Sequence, residues 1–204
     1  RPHDPSQARR EGQVMPSKVL PGNETVLLIP AVELNGIPYA VTPSAEVAIS
    51  AITSAVLNYY IPVTTNAHAN AGHGGNVSCA TRDDLALGLT DSDTDDSRTI
   101  CSIGQAETPT FYNFEADFAF FYDATIASTS SVFEMATDLV RAADIKYIIA
   151  HRIGFRPNVV AAAGQEWDFY YAWTDNPVPE FEDGGKQFRT QSFVPKNLVN
   201  IAYT

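Results

Sequence analysis

Two pairs of carboxylates have a spacing that could support glycoside hydrolysis. Glu115 and Asp117 form the first pair, and Glu166 and Asp168 form the second. Side chains two residues apart on a β-strand share one face and lie roughly 6–7 Å apart, which overlaps the separation in inverting glycosidases. Catalytic carboxylates, however, need different surroundings to separate their pKa values, and neighbours on one strand share theirs. The spacing alone therefore does not favour a catalytic site.

Other chemistry-bearing motifs are incomplete. The run Asp91–Asp96 begins like a calcium-binding loop, but Asp96 stands where that loop requires glycine and Ser102 where it requires a bidentate glutamate. His68 and His73 lie five residues apart in a glycine-rich stretch, which is not the spacing of a zinc site. The chain also has no phosphate-binding glycine motif and no nucleophile elbow. We therefore predict no catalytic residue, no metal ion and no cofactor.

The carboxylate pairs lie in segments whose alternation predicts strands with one packed and one solvated face. In the segment 111–122 the even positions are aromatic or alanine, whereas the odd positions include Glu115 and Asp117. In the segment 166–173 every odd position is aromatic. We therefore predict that each pair projects from the solvated face of a strand.

The remaining elements are predicted from apolar runs and capping signals. Ser131 and Glu134 form a capping box ahead of an apolar stripe, which predicts one clear helix that ends near Ala143. A shorter helix is expected at 45–51, and its continuation to Tyr60 fits either a helix or a strand. Further strands are predicted at 25–30, 77–81, 98–103, 146–152, 188–194 and 198–203. The fold class is therefore mainly β (α+β), with one helix packed on a sheet.

The charge distribution limits the classes of partner. The chain has 204 residues and a net charge of −11, and half of its 24 acidic residues lie between Asp83 and Asp138. Arg98 is the only base in that stretch. Direct adhesion to nucleic acid or to an anionic membrane requires Lys and Arg, so this composition argues against both. A concentrated negative face is instead typical of a surface that keeps polyanions from adhering.

The two cysteines, Cys79 and Cys101, both fall in predicted strands. We expect half-buried, reduced thiols. A disulfide would require the two strands to lie side by side with suitable geometry, so their pairing is left open.

The domain organisation follows from composition. Residues 1–24 hold four prolines and four of the 13 bases, which predicts an extended N-terminal arm before a single β-rich domain at 25–204. The chain starts at Arg1 without an initiator methionine, so we expect that residues before it are missing or cleaved. The segment 34–75 has almost no charge, which predicts an interface insertion. A long acidic loop is predicted at 82–97. Within the weakly charged part, 66–76 is expected to be an exposed loop.

Several sequence patterns resemble those of one viral protein family. The stretch 92–101 (SDTDDSRTIC), continued by 104–110 (GQAETPT) and the strand 111–123, is similar to major tail tube proteins of long-tailed phages (siphoviruses), especially those that infect actinobacteria. The turn 174–177 (TDNP) and the segment 183–188 (DGGKQF) also resemble that family. The resemblance covers about residues 76–204.

This resemblance implies a β-sandwich or barrel-like subunit with one flanking helix. Six copies are then expected to form a hexameric ring, and stacked rings to form a tube that conducts DNA during ejection. It also implies partners in the tape measure, tail terminator and tail tip proteins, and a place in the virion tail after assembly in the host cytoplasm. A negative wall would leave DNA mobile. The candidate lumen-facing acidic residues are Glu115, Asp117, Asp91, Asp93, Asp95 and Asp96.

Two other functions remain open. A β-sandwich carbohydrate-active enzyme would use one carboxylate pair, whereas a virion decoration or adhesion module would bind through exposed aromatic residues.

Overall fold

The computed structural model describes residues 22–31, 48–62, 73–91, 93–95, 108–111, 113–123, 131–181 and 185–203. In these ranges the strands are β1 (Glu24–Pro30), β2 (Gly75–Asn76), β3 (Ala86–Leu89), β4 (Asp93–Asp95), β5 (Thr108–Phe111), β6 (Phe114–Phe121), β7 (Lys146–Ile153), β8 (Gln165–Thr174), β9 (Val178–Phe181) and β10 (Gln187–Tyr203). The helices are α1 (Ser54–Tyr60), α2 (Val132–Leu139) and a 3₁₀ turn, Ile49–Ala51. The predicted mainly β fold is confirmed.

Eight of the strands form one antiparallel sheet. Its order is β2-β1-β7-β8-β10-β6-β3, with β9 added beside β10, and the sheet does not close into a barrel. β4 and β5 form a separate two-stranded sheet. The large sheet therefore has open edges in the part of the chain that the structure describes.

β10 joins the two halves of the sheet. Its residues 188–192 pair with β6, whereas 193–203 pair with β8. The sequence predicted two strands here, and the structure forms a single strand with a register shift between Pro195 and Asn197. Proline has no backbone N–H to donate to the ladder, so an irregularity at this position is expected.

Two apolar cores lie on opposite faces of the central strands. In β1, Val26 and Leu28 face the first core, whereas Leu27 and Ile29 face the second. The first core is covered by α2 and β6, and the second is covered by α1. Because these strands are buried on both faces, they have continuous apolar sequences. In β8, for the same reason, Tyr170 is buried as well as Trp167, Phe169 and Tyr171, so the prediction of a wet face there holds only near its start.

Both α-helices begin at a capping hydroxyl. The Ser131 Oγ accepts hydrogen bonds from the backbone N–H groups of Phe133 and Glu134, which confirms the predicted start of α2. α2 ends at Leu139, four residues before the predicted end. The Thr53 Oγ1 accepts from the N–H of Val56, and α1 follows, so the ambiguous segment before Tyr60 is helical.

The local structure departs from the predictions in three places. Of the predicted helix 45–51, residues 45–47 lie outside the described residues, Ala48 is extended, and Ile49–Ala51 form a 3₁₀ turn. Residues 78–80 form a turn rather than a strand, and this turn exposes Cys79. The predicted acidic loop 82–97 contains β3 and β4. Cys101 and the predicted strand 98–103 lie outside the described residues.

The end of the predicted loop 66–76 is also not exposed. Gly75 and Asn76 are buried and pair with β1 as β2. At Gly74 an added Cβ would overlap a ring carbon of Tyr60 and lie 2.7 Å from Cδ of Pro30, so only glycine fits there. This close approach is a long-range contact, which a local sequence pattern does not reveal.

Part of the weakly charged segment 34–75 contributes to the protein's own core. Ile52, Leu57 and Tyr60 are buried against the face of the sheet that carries Leu27 and Ile29. Internal packing therefore accounts for the low charge of this part. The interpretation of the whole segment as an interface stays a prediction.

Candidate functional site

Glu115 and Asp117 project from one face of β6, as predicted. Glu115 pairs with Gly88 of β3, and Asp117 pairs with Ala86 of β3 on one side and Ser192 of β10 on the other. Paired residues of antiparallel strands direct their side chains to the same side. We call the surface formed by Ala86, Gly88, Glu115, Asp117, Thr190 and Ser192 the outer sheet face.

The outer sheet face is backed by the first core. Ala116, Phe118 and Phe120 point the other way from β6 and are buried. Glu115 is exposed and Asp117 is half-buried. The alternation in the sequence therefore gives this strand one apolar side and one acidic side, and the apolar side fixes which way the carboxylates point.

The side chains beside the two carboxylates are small, so both carboxylates are accessible. A Cβ added at Gly88 would meet no atom within 4 Å, so the space beside Glu115 is open. Ala86 and Ser192, the partners of Asp117, are also small. A broad approaching surface can therefore reach both carboxylates.

Among the side chains that the structure describes, the basic groups near this face lie towards the Phe121 and Phe188 end of the strands. The Arg82 guanidinium is 4.8 Å from the ring centroid of Phe188 and makes an ion pair with Asp84 at 3.2 Å. The Lys186 ammonium is 5.3 Å from the ring centroid of Phe121. The Glu115 and Asp117 end of the face is thus the acidic end.

The other acidic candidates lie nearby or outside the described residues. Asp91 is exposed and follows β3, and its backbone oxygen accepts from Asn113 Nδ2 at 3.2 Å. Asp93 and Asp95 belong to β4, but their side chains lie outside the described residues, as does all of Asp96. The structure therefore brings Glu115 and Asp117 together and places Asp91 next to the start of their strand.

The second carboxylate pair lies on the larger, two-core part of the sheet. Glu166 is exposed, and Asp168 is half-buried opposite His151. Burial, together with the negative charge of Asp168, raises the pKa of Tyr170 to about 12. Three cavities lined by described residues, of about 380 to 570 Å³, have neither carboxylate pair in their lining. Neither pair is therefore placed to enclose a substrate in one of them.

Two further properties concern the described residues alone. Among them, no group of three or more His, Cys, Asp or Glu side chains is arranged to hold a metal ion. None of the helices in these ranges has the length and apolar character that crossing a membrane requires.

Sequence reasoning missed the role of Arg152. This side chain is fully buried at the end of β7, and burial lowers its pKa to about 10. Its guanidinium carbon lies 4.6 Å from the ring centroid of Trp167. In the contacts that the structure shows, the guanidinium donates only to uncharged oxygens. The only local sequence signal for this buried charge was an arginine near the end of an apolar strand.

Known proteins resemble this chain in sequence and in fold. Residues 45–203 match the profile of the phage tail tube protein family. The fold is similar to a chain in the cryo-EM structure of the anti-feeding prophage (AFP) baseplate, 6-fold symmetrised, with a TM-score of 0.50 and 9% identity over 92% of this chain and 98% of that chain. No curated protein sequence matches significantly. Because the family profile spans more than three quarters of its length, the chain belongs to the phage tail tube protein family.

Proposed function

We propose that this chain is the structural subunit of a phage tail tube. Six copies form each ring, the rings stack, and the negatively charged bore conducts the DNA genome during ejection. The observation that carries the proposal is the acidic end of the outer sheet face on a chain of this family. The similar baseplate structure is described as six-fold symmetrised, which supports a ring of six.

An open strand edge supports assembly with further copies. β8 and β9 follow each other along one edge of β10, whereas β6 pairs with the other edge only as far as Ser192. Among the described residues, no strand pairs with that second edge between Val194 and Tyr203. Open edges leave backbone donors and acceptors that readily pair with another chain. We infer that a neighbouring subunit covers this edge.

An acidic bore suits the passage of DNA. A basic wall would displace counterions at each phosphate contact, and such contacts would add up along the tube and retain the genome. Carboxylates repel the phosphates instead and leave DNA mobile. We propose that Glu115 and Asp117 face the bore, with Asp91, Asp93, Asp95 and Asp96 as further candidates.

The same proposal assigns the remaining partners and the location. The subunit contacts tape measure, tail terminator and tail tip proteins in a long-tailed phage of an actinobacterial host. Assembly occurs in the host cytoplasm, and the product is part of the virion tail. The basic arm at 1–24 and the segment 34–75 are proposed to contact neighbouring subunits.

Charge reversal in the bore tests this function. Phage carrying Glu115→Lys with Asp117→Lys are expected to form tails of normal length but to deliver DNA at least about tenfold less well, because added bases hold phosphates. The matched control is Glu166→Lys with Asp168→Lys, which reverses the other pair on the same scaffold. Electron microscopy of the tails and infection titres measure the two properties. Normal DNA delivery by the Glu115 and Asp117 variant would contradict the proposed lumen face.

A further inference from the structure

The loop between β7 and β8, residues 154–164, is held by buried side chains. The Arg152 guanidinium, 1% exposed, donates to the backbone oxygen of Val159 at 2.8 Å and to that of Arg156 at 3.4 Å. Its side-chain acceptors are Thr25 Oγ1 at 2.9 Å and Gln165 Oε1 at 2.7 Å. The guanidinium therefore joins this loop to β1 and β8.

Two asparagines hold the rest of the loop. Asn76 of β2 is buried, and its Nδ2 donates to the oxygen of Pro157 at 2.9 Å. Asn58 of α1 donates to the oxygen of Ala161 at 3.0 Å and accepts from the N–H of Ala161 at 2.6 Å. A loop fixed by this many bonds loses little conformational freedom when it binds a partner.

The same loop exposes large apolar side chains. Ile153, which precedes it, is 56% exposed, Val160 is 61% exposed and Phe155 is 37% exposed. Arg156 is exposed and is the only charged residue in the loop. Exposed apolar side chains on a preorganised backbone are features of a protein interface. We call this surface the β7–β8 ridge.

A groove of about 570 Å³ lies between α2 and the β9–β10 pair. Phe181, which is 69% exposed, and Tyr122 contribute aromatic surface to it. Three carboxylates and two guanidinium groups line the groove, which gives an excess of one negative charge. These groups are Asp123, Glu134, Asp138, Arg141 and Arg189. The groove thus combines aromatic surface with a charge opposite to that of the ridge.

The ridge and the groove lie at opposite ends of β10. Tyr203 pairs with Gln165, which directly follows the ridge, whereas Gln187 pairs with Phe181 at the groove. Two complementary patches at opposite ends of one molecule allow a head-to-tail contact that repeats from copy to copy. The occupant that fits the groove is therefore a second copy of this chain.

We propose that the β7–β8 ridge of one copy docks into the α2–β9 groove of the next copy. This inference rests on the proposed function, because it names the surfaces through which tube subunits join. Phe155 packs against the aromatic side of the groove, and Arg156 approaches its carboxylates. The contact is heterologous, so a free ridge and a free groove remain at the two ends of a chain of copies.

Cross-linking between two single-cysteine variants tests this pairing. In a chain with Cys79→Ser and Cys101→Ser, one variant carries Asn158→Cys on the ridge and the other carries Gln187→Cys at the groove, both at exposed positions. With a short bifunctional maleimide, the mixture is expected to give covalent dimers, whereas each variant alone gives none. Dimers from the Asn158→Cys variant alone would show a ridge-to-ridge contact and overturn the proposal.

A second measurement compares the protein concentrations at which variants of the two surfaces assemble. Phe155→Ala is expected to raise the protein concentration needed for assembly about tenfold or more, because it removes a buried aromatic contact. Leu89→Ala removes an exposed apolar side chain outside both surfaces and serves as the control. If tubes form and neither cross-linking nor Phe155→Ala behaves as expected, the docking is wrong and the proposed function stands. If the wild-type protein never assembles, both are wrong.

Discussion

At the scale of single residues, Arg152 shows how the fold uses a buried charge. Its guanidinium lies between β1, β8 and the β7–β8 loop and donates to neutral oxygens of the backbone and side chains. A pKa of about 10 keeps it charged at neutral pH although burial opposes the charge. Removing it would leave the oxygen of Val159 and the hydroxyl of Thr25 without this donor. The cost of such a change comes from unsatisfied buried groups.

Arg152→Met tests this role in stability. It preserves much of the side-chain length but removes every donor, and we expect the free energy of unfolding to fall by about 2–4 kcal/mol. Chemical denaturation of the dissociated subunit measures the change. Arg141→Met is the control, because that exposed side chain forms a surface ion pair with Asp138, worth at most about 1 kcal/mol. Equal stability of the two variants would rule out the anchoring role.

At the scale of elements, the helices and strands that could be predicted are those whose formation has a local cause in the sequence. β1, β6 and β7 follow from apolar runs or alternation, and α2 follows from the capping box at Ser131. β9 was missed because all four of its residues are exposed, so no buried face marks it. β2 was missed because its position depends on contacts with residues far away in the chain.

The candidate site was partly predictable for the same reason. Alternation in β6 correctly placed Glu115 and Asp117 on one solvated face, because the apolar side chains between them must be buried. The packing of Arg152 and the exposure of Cys79 were not predictable, because turns and long-range hydrogen bonds determine them. The groove beside Phe181 likewise requires three separate segments to meet.

Gly74→Ala tests the long-range packing of β2. The new methyl group would clash with the Tyr60 ring and with Pro30, so we expect a loss of about 1–3 kcal/mol of unfolding free energy. Gly88→Ala is the matched control, because the space at Gly88 is open and we expect no loss there. Denaturation midpoints of both variants measure the effect. A stable Gly74→Ala variant would mean that β2 does not pack under α1 in this way.

At the scale of the whole molecule, the subunit has surfaces that a second copy can complete. The edge of β10 beyond Ser192 is open among the described residues, and the β7–β8 ridge and the α2–β9 groove lie at opposite ends of the same strand. The acidic end of the outer sheet face is a third surface, which we propose lines the bore. Together these surfaces favour a protein that functions only as an assembly.

The most direct test is cryo-electron microscopy of the purified protein over a wide range of concentrations. We predict hollow tubes of stacked rings in which the side of β6 with Glu115 and Asp117 lines the bore. A protein that stays monomeric at every concentration, or a tube whose bore is lined by another face, would contradict the account.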